Sequence, residues 1–185
     1  MFNKKIIIVG KSGSGKDYLM DSLDKENMVK CLKYTTRPIR KNEKHNITYH
    51  YTNNKKFEHY IKNNEMVIYQ KIEITSSLDK PIWYYGITID NFNTSDFMVM
   101  TPHEINSYLK NNQRDSIFVI YLDIDKDVRK KRVINRNDHS DSVSRRFIGD
   151  DIDFKDFNIY DLQITDTFFD TSNIIDIIKN SIKRL

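Results

Sequence analysis

The sequence predicts an α/β fold of three layers, with helices on both faces of a central parallel sheet. Short apolar stretches of strand length alternate along the chain with longer segments whose apolar residues recur at helical spacing. The clearest strands are residues 6–9 and 117–122, which are apolar throughout. Strands of this kind are typical of a parallel sheet, because helices bury both of its faces.

Local signals set the remaining elements. A helix is expected after Gly10, because Leu19, Met20 and Leu23 would share one of its sides. Pro102 is expected in the first turn of another helix, where its missing N–H is not needed. The predicted strands are residues 6–9, 29–33, 66–72, 82–88, 97–100, 117–122 and 160–164. The predicted helices start near residue 16, cover 57–62, start at 102, cover 125–135, start at 142, and surround residues 174–182.

Composition indicates one folded domain. The 185 residues are 38% hydrophobic and 30% charged, which is enough apolar material for a core and unlike a disordered chain. The formal charge of +4 suits an anionic substrate, and no dense basic run suggests nucleic acid as a partner. No apolar stretch reaches the roughly 20 residues of a membrane helix, and Cys31 is the single cysteine. We therefore expect a soluble cytoplasmic protein, either a monomer or a homodimer.

The sharpest motif is at residues 10–17, Gly-Lys-Ser-Gly-Ser-Gly-Lys-Asp, which matches G-x-x-x-x-G-K between a predicted strand and a predicted helix. Glycines let the backbone amides approach phosphate oxygens closely, and the positive end of the following helix faces the same anion. The lysine can reach the β- and γ-phosphates of ATP. Candidate ATP-binding residues are Gly10, Ser12, Gly13, Ser14, Gly15, Lys16 and Asp17.

Asp17 departs from the motif, which usually has serine or threonine at that position. A hydroxyl there helps to hold Mg²⁺, and a carboxylate is also a hard oxygen ligand. Asp17 is therefore the candidate metal ligand. An acid that stabilises the helix dipole explains the same residue equally well.

A second cationic segment contains Arg37 and Arg40, on either side of a proline that favours extended backbone. Two guanidinium groups at this spacing can hold one phosphate, and Tyr49 and Tyr85 can donate hydrogen bonds without adding charge. Each feature taken alone also fits a solvated surface or an ordinary strand face.

Together these segments resemble the guanylate kinase family. The matching motifs are Thr-Thr-Arg-x-x-Arg at residues 35–40, Thr-Tyr at 48–49 where the family has Asp-Tyr, and Tyr-Tyr-Gly at 84–86. The resemblance implies a P-loop kinase fold with an inserted small mixed sheet at residues 34–92 for the nucleoside monophosphate. It also implies that Arg37, Arg40, Tyr49 and Tyr85 bind the acceptor phosphate, with ATP and Mg²⁺ as the donor.

The distal half also corresponds to the family, in a helical lid at residues 126–150. The motifs are Lys-Arg-Val-Ile-Asn-Arg at 131–136 and Ser-Val-Ser-Arg-Arg at 142–146. The resemblance implies that Arg132, Arg136 and Arg146 act with Lys16 as catalytic cations on the transferring phosphoryl group. Without the phosphate loop, an ordinary basic helix explains these arginines.

The base-reading positions depart from the family. Guanine offers N–H donors, so carboxylate and hydroxyl side chains suit it, but the matching positions hold Ile68, Ile87 and the segment 100–102. Gln70, Glu73 and Thr88 are possible replacements. We assign Ile68, Glu73 and Thr88 to the substrate site.

Several functions remain open at this point. The first is transfer of the ATP γ-phosphate to GMP or dGMP. The second is the same reaction on dTMP or a modified pyrimidine deoxynucleotide, which an apolar base site favours. A non-catalytic binding module would be expected to lack Lys16 and the lid arginines. A P-loop kinase of small phosphorylated metabolites would not be expected to carry the Thr-Thr-Arg and Tyr-Tyr-Gly motifs.

Overall fold

The computed structural model describes residues 3–40, 43–73, 81–135 and 143–182, and the chain forms two compact units. The first unit contains residues 1–30 and 96–185, and the second contains residues 31–95. In chain order the elements are β1 (Lys5–Gly10), α1 (Lys16–Lys25), β2 (Tyr34–Thr35), β3 (His50–Tyr51), α2 (Asn54–Lys62), β4 (Met66–Glu73), β5 (Ile82–Thr88), α3 (Ile89–Thr94), β6 (Phe97–Val99), α4 (Pro102–Leu109), β7 (Ile117–Leu122), α5 (Lys126–Asn135), α6 (Val143–Asp153), β8 (Leu162–Ile164) and α7 (Thr171–Ser181).

The sheet of the first unit has four parallel strands in the order β6-β1-β7-β8. Side chains alternate across a strand, so Ile6 and Ile8 of β1 face one side and Ile7 and Val9 face the other. All four side chains are fully buried. Both faces of this sheet are therefore covered, which confirms the three-layer α/β prediction.

Helices α1 and α7 cover one face of this sheet with apolar stripes. Leu19 and Leu23 of α1, and Ile174, Ile175 and Ile178 of α7, belong to one buried cluster with side chains of β1 and β7. Residues at spacings of three and four lie on one side of a helix, which explains how both stripes face the sheet. This packing fixes the start of α1 next to the end of β1.

Helix α4 starts as the proline predicted. Pro102 lies in its first turn, after Thr101, whose hydroxyl accepts the Glu104 amide at 3.2 Å. The Glu104 carboxylate accepts the Thr101 amide at 2.7 Å in return. This reciprocal capping box satisfies two N–H groups at the helix start.

The second unit is built on a small mixed sheet in the order β3-β2-β5-β4. β2 and β3 are parallel, whereas β5 is antiparallel to both β2 and β4. Phe57 of α2 is fully buried and stacks on Tyr84 of β5 at 5.1 Å between ring centroids. Gly86 lies against β4 so closely that a Cβ atom would come within 2.7 Å of the Ile68 carbonyl oxygen. A side chain at position 86 would therefore push β4 away from β5.

Most of the predicted elements are confirmed, within two to three residues at their ends for strands and helices alike. The strand predicted at residues 29–33 is wrong, because only Lys30 makes a bridge, to Phe97. The Val29 amide donates instead to the Asp96 carboxylate at 2.9 Å. The short elements β2, β3 and α3 were not predicted.

Two further features concern single residues and segments. Cys31 is buried and, as the single cysteine of the chain, forms no disulfide within it. Among the residues that the structure describes, no helix is both long enough and apolar enough to cross a membrane.

Candidate active site

The phosphate loop connects the end of β1 to the start of α1, as predicted. Gly13 and Gly15 have φ angles of 77° and 99°, which side chains rarely adopt. A Cβ atom on Gly13 would lie 2.6 Å from the Arg129 carbonyl oxygen. The loop therefore needs glycine both for its backbone conformation and for its close approach to α5.

Lys16 lies over the loop in which it was predicted to act. Its Nζ donates hydrogen bonds to the carbonyl oxygens of Gly10 at 2.7 Å and Lys11 at 3.0 Å. The ammonium group is thus held at the mouth of the loop, where phosphate oxygens are expected to lie.

The other loop residues predicted to bind ATP differ in their surroundings. Ser14 is fully buried, and its hydroxyl has no hydrogen-bond partner among the described residues. Asp17 is exposed in the first turn of α1. In the described part of the chain, no group of three or more acidic, histidine or cysteine side chains forms a metal site. Mg²⁺ in phosphate-transfer sites commonly takes one or two carboxylates together with phosphates and water, so Asp17 fits such an ion.

Helix α5 supplies two arginines to the loop. Arg132 donates from Nη1 to the Gly13 carbonyl at 3.3 Å and from Nη2 to the Thr167 carbonyl at 2.7 Å. Arg129 is 2% exposed and donates from Nη1 to the Ser12 carbonyl at 3.3 Å. Arg132 was predicted at this site, whereas Arg129 was not.

A pair of acids on α6 also contacts the loop. The Asp150 carboxylate accepts the Ser12 amide at 2.7 Å and lies 3.7 Å from Nη1 of Arg129. Asp151 pairs with Lys126 at 2.7 Å and with Lys11 at 3.4 Å. The Lys126 hydrogen bond lowers the pKa of Asp151, with a smaller contribution from Lys11. One amide of the phosphate loop therefore donates its hydrogen bond to a carboxylate of the chain.

A cleft of about 570 Å³ opens beside the loop, and its size suits a nucleoside. Three of its lining side chains are aromatic, and one of them, Phe169, lies 3.3 Å from the Cβ position of Gly15. The lining residues are Gly13, Gly15, Tyr18, Arg132, Asn135, Thr167, Phe168 and Phe169.

The remaining lid arginines are placed only in part. Arg146 is half-buried on α6. Arg136 lies outside the described residues. The predicted grouping of these two residues with Lys16 and Arg132 therefore stays a prediction.

In the second unit, Arg37 lies in a buried ion pair with Glu43. Its Nη2 donates to both carboxylate oxygens, at 2.7 and 2.9 Å, and its Nη1 donates to the Pro38 carbonyl at 2.9 Å. The Tyr51 hydroxyl donates to the same carboxylate at 2.7 Å. Sequence analysis missed both Glu43 and Tyr51, because neither belongs to the motifs that it used.

The two tyrosines predicted at the acceptor site lie close to this ion pair. The Arg37 guanidinium lies 5.7 Å from the ring centroid of Tyr49, and the Tyr49 and Tyr85 rings meet edge to face at 6.2 Å. Arg40 has an exposed side chain, and its amide donates to Glu43 at 2.9 Å. The structure therefore brings Arg37, Tyr49 and Tyr85 together and ties Arg40 to them through its backbone.

Charge and burial shift the pKa values of this cluster. Burial raises the pKa of Tyr51 to about 12, and its hydrogen bond to Glu43 adds to the shift. Burial alone would raise the pKa of Glu43, but the hydrogen bonds from Arg37, Tyr51 and the Arg40 amide outweigh it and lower that pKa. Glu43 is therefore ionised at neutral pH, beside a permanently charged guanidinium.

Comparison with known proteins tests the family resemblance. Residues 2–78 match the family model described as Guanylate kinase. Guanylate kinases from two strains of Bacteroides fragilis are each 37% identical to this chain over 71 residues. The resemblance to the guanylate kinase family is confirmed.

These matches cover limited stretches of sequence. Each curated guanylate kinase is matched over 35% of its own length and over 37% of this chain. The crystal structure of guanylate kinase from Anaplasma phagocytophilum matches 96% of this chain and 84% of its own, with a TM-score of 0.59 and 19% identity. At that identity the likeness establishes the fold alone, and it confirms the predicted α/β architecture with a parallel central sheet and a small mixed sheet.

The guanylate kinase match divides the predicted site residues. Residues 2–78 include the phosphate loop, Arg37, Arg40 and Tyr49. Tyr85 and the lid arginines follow residue 78, so only the likeness of fold relates them to the family.

The positions where guanylate kinases were expected to read the base are partly internal. Ile68 of β4 is 4% exposed and Ile87 of β5 is fully buried, and the two are paired across the sheet. Thr88 is buried, and its hydroxyl accepts the Asn91 amide at 3.3 Å as the cap of α3. Glu73 is exposed at the end of β4, 3.6 Å from Lys71. Contact of Ile68, Glu73 or Thr88 with a base stays a prediction.

Proposed function

We propose that this protein is an ATP-dependent nucleoside monophosphate kinase of guanylate kinase type, which transfers the γ-phosphate of ATP to GMP or dGMP. The observation that carries the proposal is the glycine loop at the end of β1, with the Lys16 ammonium at its mouth. The guanylate kinase match over residues 2–78 supports the choice of acceptor.

ATP is proposed to bind along the loop, with its phosphates on the amides of residues 10–17. The adjoining cleft is proposed to take its base, because Tyr18 and Phe168 provide apolar surface and Arg132 provides hydrogen-bond donors. Lys16, Arg132, Arg136 and Arg146 are the proposed catalytic cations. They stabilise the negative charge that spreads over the transferring phosphoryl group.

Mg²⁺ is proposed to bind next to Asp17, through that carboxylate and the ATP phosphates. When bound, the ion neutralises phosphate charge and favours transfer. If an Asp17→Ala variant is active and its Mg²⁺ requirement is unchanged, Asp17 is not a metal ligand. Its role would then be to stabilise the helix dipole.

The acceptor monophosphate is proposed to bind at Arg37, Arg40, Tyr49 and Tyr85. Its phosphate oxygen attacks the γ-phosphorus of ATP, and the bond from that phosphorus to the bridging oxygen of ADP breaks. Positioning and charge neutralisation provide most of the acceleration in such transfers, so no side-chain base is required.

The domain organisation follows from this function. We propose a single guanylate-kinase-like domain over residues 1–185, in which residues 34–92 bind the monophosphate and residues 126–150 form the lid. We also propose that the protein acts in the cytoplasm.

The test is a panel of ribo- and deoxynucleoside monophosphates with ATP and Mg²⁺, read by formation of ADP and the nucleoside diphosphate. We expect turnover of GMP or dGMP by the wild-type protein and none by Lys16→Met. Tight nucleotide binding without turnover of any monophosphate would favour a binding module.

A second acceptor is supported by a separate observation. Ile68 and Ile87 are apolar where carboxylate and hydroxyl groups would suit guanine, and both are buried. Unpaired donors of a buried base are costly, so such a site disfavours guanine relative to a methylated pyrimidine. Turnover of dTMP or a modified relative without turnover of GMP would replace the first acceptor with this one.

A further inference from the structure

Glu43 receives hydrogen bonds from three different groups of the second unit. Its Oε1 accepts from Arg37 at 2.7 Å, and its Oε2 accepts from Arg37 at 2.9 Å. The Tyr51 hydroxyl and the Arg40 amide also donate to Oε2, at 2.7 and 2.9 Å. One carboxylate therefore contacts both arginines of the proposed phosphate site, one through its side chain and the other through its backbone.

Burial makes this arrangement rigid. The side chains of Arg37 and Glu43 are 4% and 15% exposed. A charge removed from water is costly unless it is paired, so the guanidinium and the carboxylate hold each other in place. The hydrogen bond from Nη1 to the Pro38 carbonyl fixes a second nitrogen of Arg37, and with it the plane of the guanidinium.

We infer that Glu43 is a positioning residue, which fixes the guanidinium of Arg37 and the backbone of Arg40 for the acceptor phosphate, and that the Tyr51 hydroxyl holds Glu43 in place. The inference rests on the proposed function, because it assigns these residues to the binding of the acceptor. It goes beyond that function in naming the two side chains that prepare the site before the substrate arrives.

An alternative role for Glu43 is that of a placeholder, which the phosphate displaces from Arg37. The donors argue against it, because Tyr51 and the Arg40 amide would still hold the carboxylate after Arg37 turned to a phosphate. A carboxylate with donors of its own stays in place. It therefore orients Arg37 for the ligand and does not compete with the ligand.

The experiment compares Tyr51→Phe and Glu43→Gln with the wild-type protein. Both variants keep the side-chain size, and each removes one part of the contact. We expect KM for the monophosphate to rise about fivefold in Tyr51→Phe and at least about tenfold in Glu43→Gln. A positioning defect in acceptor binding should leave KM for ATP unchanged and kcat within about twofold.

The matched control is Tyr84→Phe. The Tyr84 hydroxyl also donates to a carboxylate of this unit, but to that of Glu58, at 3.1 Å, instead of that of Glu43. We expect its KM for the monophosphate to equal that of the wild-type protein. An equal increase in both tyrosine variants would overturn the inference, because it would show a general effect on the sheet.

A double-mutant cycle separates positioning from folding. If Glu43 acts mainly through Arg37, Glu43→Gln should raise KM much less in an Arg37→Gln background than in the wild-type protein, and the remaining increase reports its contact with the Arg40 backbone. A full additional effect there, or a KM that falls in Glu43→Gln alone, would overturn the inference. The second outcome would identify the carboxylate as a placeholder.

Titration calorimetry with GMP and with dTMP separates this inference from the proposed function. Wild-type binding without turnover would end the kinase proposal, while the affinities of the Tyr51→Phe and Glu43→Gln variants would still decide the role of Glu43. Turnover by the wild-type protein with unchanged KM in both variants would end the inference alone. A wild-type protein that binds neither nucleotide would overturn both.

Discussion

Each of the two units holds a carboxylate of the chain against a group proposed to bind nucleotide phosphate, but in different ways. In the second unit, Glu43 pairs with Arg37 and has further donors in Tyr51 and the Arg40 amide. In the first unit, Asp150 accepts the Ser12 amide at 2.7 Å, whereas its distance to Nη1 of Arg129 is longer, at 3.7 Å. Glu43 is fixed by donors around it, whereas Asp150 is held chiefly by the phosphate loop.

This difference predicts opposite effects on ligands. A carboxylate with independent donors remains when a phosphate arrives, and it can orient the cation that binds the phosphate. A carboxylate whose nearest donor is itself an amide of the loop competes with an anion for that amide. Substitutions at the two carboxylates and at the cations beside them distinguish these two effects.

Lys16→Met should abolish most of the activity. Binding of the monophosphate to the second unit can then be measured without turnover. The variant removes the ammonium group at the mouth of the loop and keeps the length of the side chain. We expect kcat to fall at least about 100-fold, because a cation that offsets charge in the transition state is lost. Rapid-quench measurement of diphosphate formation checks this, and calorimetry should show unchanged binding of the monophosphate. Weakened binding of the monophosphate would contradict separate roles for the two regions.

Arg37→Lys should weaken acceptor binding at the Arg37–Glu43 pair while keeping a positive charge at position 37. Lysine cannot donate to Glu43 and to a phosphate with the planar fork of a guanidinium. We expect a loss of about 2 kcal/mol in acceptor binding, hence a KM about 30-fold higher, with kcat changed much less. Steady-state kinetics with varied monophosphate and saturating ATP measure it. A change confined to KM for ATP would show that Arg37 has been assigned to the wrong substrate.

The same contrast explains how much of the site the sequence could predict. Lys16 and the loop glycines follow a fixed spacing between a strand and a helix, so the residues alone predicted them. Asp150 is 138 residues from Ser12 in sequence, and no local pattern links the two. Glu43 lies in a turn, where the carboxylate has no periodic signal, and only the fold brings Tyr51 to it.

The fold was predictable where periodicity is strong. Residues 6–9 and 117–122 are apolar throughout and form β1 and β7. The segment 29–33, Val-Lys-Cys-Leu-Lys, mixes apolar and basic residues. Val29 is 52% exposed and its amide donates to the Asp96 carboxylate, so no strand forms there. The two-residue strands β2 and β3 are too short to show any period. β2 pairs with β5, which is distant in sequence, and β3 pairs with β2.

Acidification tests whether Glu43 is fixed by its charge. The pKa of Glu43 is lowered in the folded protein from its ordinary value of 4.5, so ionised Glu43 stabilises the fold above that value, and the stabilisation is lost as pH falls through the lowered pKa. We expect Glu43→Gln to lower the free energy of unfolding by about 2 kcal/mol near pH 7, and by progressively less as the pH falls below 4.5 and through the lowered pKa. Urea denaturation at several pH values measures the difference.

The control for this pH series is Glu58→Gln, which removes a carboxylate that pairs with a tyrosine instead of an arginine. We expect a smaller cost near neutral pH and a weaker dependence on acidification. A cost of Glu43→Gln that stays constant from neutral to acid pH would show that packing, and not the charge, holds Glu43.

Asp150→Asn should have the smallest effect, and in the opposite direction. The variant removes a negative charge beside the Ser12 amide while keeping the shape of the side chain. We expect KM for ATP to fall about threefold, because the phosphates no longer compete with a carboxylate. Asp127→Asn is the control, since it removes the same charge from an exposed position in the first turn of α5. An increase in KM for ATP in Asp150→Asn, with Asp127→Asn at the wild-type value, would mean that Asp150 supports the loop. Both carboxylates would then be positioning groups, and the contrast between the two units would disappear.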